Sequence, residues 1–308
     1  MTDEKFRLVH SRGFSWYNFY QPASGEVDFL KKKFPFLHHL DLETCLATKT
    51  QRPKIEINPK YTFFVLHFPY LNKKGEEIKV AELDVFLTEK ALITLSHEGF
   101  PFINSTFAGA AASIKKADNL LAQGPERLLF KLIRRGITRL SSLLDEIGLK
   151  VDEIDDMLFA GEERKLVGQI FQLRRDIIIL KTSITPHIGI FTRLEQSTSP
   201  ENKMAEYWGS ITDNLGRLAD RVENYRELIV GLSSTMESYL TYRTNEIIKI
   251  LTIFSVILLP LTFITGLYGM NLASLPLANY SWSFGLIAFG MICLVVGMIL
   301  FFRKKRWL

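Results

Sequence analysis

The sequence predicts an α/β domain, then a long helical region, then a hairpin of two membrane-spanning helices, and three observations lead there. The strings KIEI, YTFFVLHF, IKVAELDVFL and ALITLS, between Lys54 and Glu98, are rich in β-branched and aromatic residues and are separated by turn signals such as Leu71-Asn72-Lys73-Lys74-Gly75. Beyond Gly124, apolar residues recur at the three- and four-residue spacing of a helix. From Ile250 to Phe302 there is no Asp, Glu, Lys, Arg or His, although charged residues make up 23% of the 308-residue chain.

The α/β domain is assigned to residues 1–125. Its N-terminus, MTDEKFRLVHSRGF, has mixed charge and no apolar core, so no signal peptide is expected. Two cysteines, Cys45 and Cys293, are too few for a disulfide framework and fit a reducing compartment. The formal charge of +5 comes without a compact basic motif interleaved with aromatics, so nucleic acid is not an expected partner. The pair His38-His39 lacks zinc-site spacing and reads as a surface pair.

Residues 126–249 form the helical region. Phe130, Leu132, Ile133, Ile137, Leu140, Leu143, Leu144 and Ile147 mark its first helix. A second pattern runs from about Arg164 to Ser183 and is expected to stop near Pro186. A third begins at Ser199-Pro200 with proline in its first turn, and Ile211, Leu215, Leu218, Val222, Tyr225, Ile229 and Leu232 give it an apolar stripe. No proline interrupts it before Pro260. Read literally, Pro200–Leu267 is one helix of about 100 Å, a stalk from about residue 200 that no small globule buries. The alternative is two helices broken near Gly231-Leu232-Ser233-Ser234.

The uncharged stretch divides into a first span, 250–267, an outer loop, 268–283, and a second span, 284–302. Each half is close to the roughly 20 apolar residues that cross a bilayer as a helix. The tail, residues 303–308, carries Arg303, Lys304, Lys305 and Arg306, the positive flank expected on the cytoplasmic side. With two crossings, both termini are then cytoplasmic and the loop faces outward.

Asn245, Ile248, Thr252, Ser255, Leu259, Thr262 and Gly266 fall on one helical face. Polar groups in a bilayer face a packed neighbour or a water-filled path. The stripe therefore reads either as helix packing through small residues or as the lining of a pore made by one such helix from each of several subunits.

TNEIIKILTIFSVILLPLTFITGLYGMN, a second span and the ending KKRWL together resemble the CorA family of divalent-cation channels, whose signature is Gly-Met-Asn. The resemblance is tight from about Ala219 to Leu308 and looser in AELDVFLTEKALITLSHE. It implies a funnel-shaped homopentamer in a bacterial or archaeal plasma membrane, with the first span lining a central pore and no cofactor beyond the transported or regulatory cation. It also assigns Gly269, Met270 and Asn271 to a selectivity ring at the outer mouth, with Tyr268 behind them. Mg²⁺ is small, holds its water tightly and prefers octahedral oxygen, so a ring of neutral acceptors suits the hydrated ion. By the same match, Asn245 and Thr262 fall on pore positions, with Thr252, Ser255 and Gly266 lining the pore from the same helical face, while Ile248, Leu251 and Leu259 narrow it and gate it by dewetting. Arg303, Lys304, Lys305 and Arg306 would ring the cytoplasmic mouth, opposite the acidic run VDEIDDMLFAGEE, which by itself reads as a solvated face.

This chain departs from the family pattern in two places. An acidic turn that follows the motif in many magnesium-selective relatives is Ser274-Leu275-Pro276-Leu277 here. Two stalk positions that carry aspartates in magnesium-gated members are Ser210 and Ser234, leaving Asp213 and Asp220 as possible metal-binding carboxylates between subunits. The expected cargo is Mg²⁺, with Co²⁺ and Ni²⁺, and Zn²⁺ is the alternative. A membrane-anchored scaffold or sensor is the alternative of another class. An enzyme is not expected, because no P-loop, HExxH or nucleophile elbow occurs.

Overall fold

The computed structural model describes residues 6–11, 13–46, 50–72, 77–98, 100–160, 163–270, 280 and 282–307. Phe6–Ser11 (β1) and Phe14–Tyr20 (β2) pair antiparallel around Gly13, whose φ of 83° is a backbone state that side-chain-bearing residues rarely adopt. This hairpin lies outside the strand region expected from sequence. Its signal is there in the aromatic alternation of FSWYNFY after Arg12-Gly13. Two short helices follow, α1 (Ser24–Lys33) and α2 (His39–Thr44). The expected strands are β3 (Lys54–Ile57), β4 (Tyr61–Leu71), β5 (Ile78–Thr88) and β6 (Ala91–Ser96).

The six strands form one sheet in the order β1-β2-β6-β5-β4-β3, antiparallel except where β2 runs parallel to β6. The central strands are buried along nearly their whole length, as strands covered on both faces must be. Over one face, Val27 and Leu30 of α1 and Leu42 of α2 close a core with Tyr17, Phe63 and Phe86. The other face meets α3 (Pro101–Ala111), α5 (Pro125–Ala160) and α6 (Glu163–Ser197), with α4 (Ile114–Leu121) beside α3. There the Phe68 ring contacts Phe100, Phe102 and His187. A methyl group on Gly136 of α5 would overlap the Phe68 ring, so glycine is what lets α5 lie this close to β4.

Residues 1–125 and the helices that follow them thus lie in one compact unit, Met1–Ser233, because α5 and α6 supply one layer over the sheet. The apolar positions named from α5 are all buried, from Phe130 to Ile147. The helix expected to stop near Pro186 instead runs to Ser197 with the proline inside it. Pro186 offers no N–H to the carbonyl of Thr182, but Thr182 is exposed, so water can serve that carbonyl. Ile184, His187, Phe191 and Leu194 are buried on the inner side and hold the helix to the core. Tertiary packing outweighs the local break.

The last long helix, α7, spans Met204–Tyr268 as 65 continuous residues. It starts four residues after Pro200, where Asn202 Oδ1 accepts the Met204 N–H at 3.0 Å. No break occurs at Gly231–Ser234. Its first part belongs to the Met1–Ser233 unit: Trp208, Ile211, Leu215, Leu218, Val222 and Ile229 are buried there, and Trp208 stacks on Phe191 of α6. The second unit, Ser234–Leu308, holds the remainder of α7 and α8 (Ser283–Lys304). Both helices are long and apolar enough to cross a membrane, with mean hydropathies of 2.5 and 2.7 over their most apolar windows.

Two of the buried titratable groups are shifted far from their ordinary range. Burial first, and then the neighbouring Glu82 charge, push the Asp84 carboxyl up to about 7. His187 is pushed down to about 3 by burial and by the nearby His67, whose backbone N–H it accepts at 3.0 Å through Nε2.

Candidate functional site

On the membrane part of α7 the buried Ile253 and the half-buried Lys249, Ile257, Pro260, Ile264 and Leu267 recur at three- and four-residue spacing. On α8 the matching row is Ser283, Ile287, Met291, Leu294, Met298 and Phe302. The stripe read from sequence is a different row of α7. Asn245, Ile248, Leu251, Ser255, Leu259, Thr262 and Gly266 are exposed in the single chain, and Thr252 is half-buried. The apolar members are among the most open, at 54% for Ile248, 66% for Leu251 and 68% for Leu259.

The chemistry of the polar members follows from where their hydroxyl hydrogens go. Thr252 donates to the Ile248 carbonyl at 2.7 Å, Ser255 to that of Leu251 at 2.9 Å and Thr262 to that of Leu258 at 3.0 Å. Each donor is satisfied inside the helix, which leaves the oxygen lone pairs as acceptors. A row of neutral acceptors suits water and hydrated cations and offers little to anions. Among the described residues, the Asn245 carboxamide has no hydrogen-bond partner, so its carbonyl and amide are both free for a ligand or a second copy.

At its C-terminal end α7 closes with Gly269 N–H bonding the Thr265 carbonyl at 2.9 Å and Met270 N–H bonding that of Leu267 at 3.4 Å. A Cβ on Gly269 would sit 3.1 Å from the Thr265 carbonyl oxygen, tighter than ordinary contact. Met270 is exposed, and Asn271, the third member of the expected ring, lies outside the described residues.

Beyond its run of charge, α8 ends in a folded clip. Arg306 takes a φ of 56°, its N–H bonds the Arg303 carbonyl at 3.1 Å, and the Trp307 N–H reaches back to the Phe302 carbonyl at 3.0 Å. Trp307 stacks on the buried Phe302 ring with centroids 5.8 Å apart. This is a Schellman ending with its apolar contact, and the four cations Arg303, Lys304, Lys305 and Arg306 are all exposed. The sequence signal is an aromatic five residues after another at a helix end.

Asp213 and Asp220 are exposed on one face of α7 with Arg217 between them, and Ser210 lies on the same face. Among the described residues no group of three or more His, Cys, Asp or Glu side chains could hold a metal ion, so these two carboxylates would need partners from another copy. Of the acidic run, Asp152 and Glu153 are exposed, Glu162 is outside the described residues, and the side chains of Asp155, Asp156 and Glu163 are likewise not described.

The family described as "CorA-like Mg2+ transporter protein" matches residues 11–304. The chain belongs to this family. It is 28% identical over 275 residues to a cobalt/magnesium transport protein CorA from Thermotoga maritima, covering 88% of this chain and 77% of the other. The zinc transport protein ZntB of Pectobacterium atrosepticum is 22% identical over 92% of this chain and 91% of its own length. In fold, the chain superimposes on the complete structure of the CorA magnesium transporter from Methanocaldococcus jannaschii with a TM-score of 0.80, at 21% identity over 97% of this chain and 93% of the other. The CorA fold accounts for the order found here: an α/β domain, a long helix and two C-terminal apolar helices. With CorA membership and two candidate spans, this is a membrane protein.

Proposed function

We propose that this chain is a channel for hydrated divalent cations, Mg²⁺ first with Co²⁺ and Ni²⁺, assembled as a homopentamer around α7. The single observation that carries the reading is the exposed row of α7. Its hydroxyl donors are bonded internally, its acceptors are left free, and Asn245 has no hydrogen-bond partner among the described residues. Gly269, Met270 and Asn271 form the outer ring, Thr252, Ser255, Thr262 and Gly266 the wet lining, and Ile248, Leu251 and Leu259 the apolar constriction. The cations Arg303, Lys304, Lys305 and Arg306 surround the cytoplasmic mouth, where both termini lie by the charge rule. The driving force is the membrane potential, worth roughly 4.6 kcal/mol for a divalent ion at 100 mV. Asp213 and Asp220 serve as a closing metal site between subunits, in place of the family's aspartates at Ser210 and Ser234.

Zn²⁺ is kept as a second cargo because a zinc transport protein is among the relatives and the outer loop carries no carboxylate. Purified protein in liposomes, loaded with a divalent-ion reporter and challenged with Mg²⁺, Co²⁺, Ni²⁺ or Zn²⁺ in competition, tests both readings. Saturable Mg²⁺ flux above empty vesicles supports the first, and Zn²⁺ flux insensitive to Mg²⁺ replaces it with the second. No flux of any of the four leaves only a scaffold or sensor.

A further inference from the structure

A cleft of about 310 Å³ lies between α5 and the α3–α4 pair, lined by Thr106, Leu120, Arg127, Phe130, Lys131 and Arg134, among others. Its charged lining is wholly cationic, since Arg135 closes the far side and no carboxylate borders the space. Among the described residues, none of Arg127, Lys131, Arg134 or Arg135 forms an ion pair with an acid.

The cluster is partly fixed in place. The Arg127 guanidinium lies 3.3 Å from the centroid of the Tyr207 ring and 5.1 Å from that of Phe130, and its Nε donates to Gln123 Oε1 at 3.2 Å. Its Nη1 is shut off from solvent and has no hydrogen-bond partner. Arg135 donates to the Thr106 hydroxyl. Burial, and then the charges of Arg127 and Arg135, hold the Lys131 ammonium below its usual range, so the group sits in an uncompensated positive field.

A buried guanidinium N–H without an acceptor costs free energy, and like charges gathered without a counter-charge repel. One anion with several oxygens in the cleft removes that repulsion, and the planar guanidinium fork fits phosphoryl oxygens best. The volume is at the lower end for small-ligand sites, enough for a phosphoryl group with part of what carries it. We infer that this cleft is a binding site for a phosphoryl anion, held by Arg127, Lys131 and Arg134. Because Arg127 stacks on Tyr207 in the first turn of α7, the ligand would bear on the start of that helix. The site is independent of the proposed ion pathway, and its test requires no transport.

The test uses the full chain in detergent, with its melting temperature followed against sodium phosphate, and separately against ATP without divalent metal, up to about 10 mM and at constant ionic strength in chloride. Bound ligand stabilises in proportion to the logarithm of its concentration above Kd. The Lys131→Gln/Arg134→Gln double variant loses two charged donors, so phosphate should bind it more than about tenfold more weakly. In chloride alone it should melt no lower than wild type, because like-charge repulsion is relieved. It also controls for the general stabilising effect of phosphate on any folded protein. A shift in wild type that the double variant lacks supports the site; a lower half-maximal concentration for ATP than for phosphate identifies a nucleotide, and equal values identify free phosphate. Equal responses of the two proteins to both anions, or no response in either, overturn the inference.

Discussion

Replacing Asp84 with Asn should stabilise the protein at neutral and alkaline pH and change little at acid pH. The carboxyl is 3% exposed, and its Oδ1 has no hydrogen-bond partner. Burial and the Glu82 charge raise its pKa from 3.8 to about 7. A carboxyl whose folded pKa exceeds its unfolded value favours the native state at low pH, where both states carry the proton. That contribution is lost as pH rises from about 4 through about 7, because the unfolded chain ionises freely while the folded one must hold a buried charge. The interval of roughly three pH units at 1.36 kcal/mol each sets an upper figure of about 4 kcal/mol. A unit of this size shifts in melting temperature by about 2–4 °C per kcal/mol. Thermal unfolding of wild type and Asp84→Asn, taken from pH 4 to pH 9, should give curves that converge at the acid end, separate progressively from about pH 4 to about pH 7 and hold that gap above it, with the variant higher. His187, held neutral by burial, acts in the opposite sense, losing stability as pH falls below about 6.5, but it does so equally in both proteins and cancels in the difference. Parallel curves across the whole range would refute the assignment of a neutral buried carboxyl.

Five further outcomes are expected. Gly136→Ala gains about 1 kcal/mol of helix propensity but must displace the buried Phe68 ring at a cost of about 1–3 kcal/mol, so its melting temperature should fall; a rise would mean that α5 can move off β4 freely. At the tail, Arg306→Gly should raise stability by about 1 kcal/mol by removing a left-handed side-chain residue, and Trp307→Ala should lower it by about 1 kcal/mol through loss of the Phe302 stack, both read by thermal unfolding. In the liposome assay, Asn271→Ala should abolish nearly all divalent-ion flux while the oligomer stays intact by gel filtration; unchanged flux would end the selectivity-ring assignment. Leu259→Ser should raise basal flux several-fold by keeping water in the constriction, whereas a lower melting temperature without added flux would mark Leu259 as a packing residue.

The sequence by itself determined the order of α/β domain, long helix and two C-terminal apolar helices. These elements rest on local composition and period, and the absence of charge from Ile250 to Phe302 can be read without knowing any contact. Its resemblance to CorA rested on a contiguous string for the same reason. Tertiary structure decided what depends on residues far apart in the chain. Pro186 reads as a stop, yet α6 continues because Ile184, His187 and Phe191 are anchored in the core. Gly136 lies within a helix, and only the fold makes it the surface on which Phe68, 68 positions earlier, rests. Asp84 sits in an ordinary strand pattern, and only the layers over both faces of β5 make its charge costly. Arg127, Lys131, Arg134 and Arg135 follow one another along a single helix, and only the packing of α3 and α4 beside α5 makes them the lining of one cleft. Burial is a property of the packed assembly of elements, and the energetics of charge, cavity and close approach follow from it.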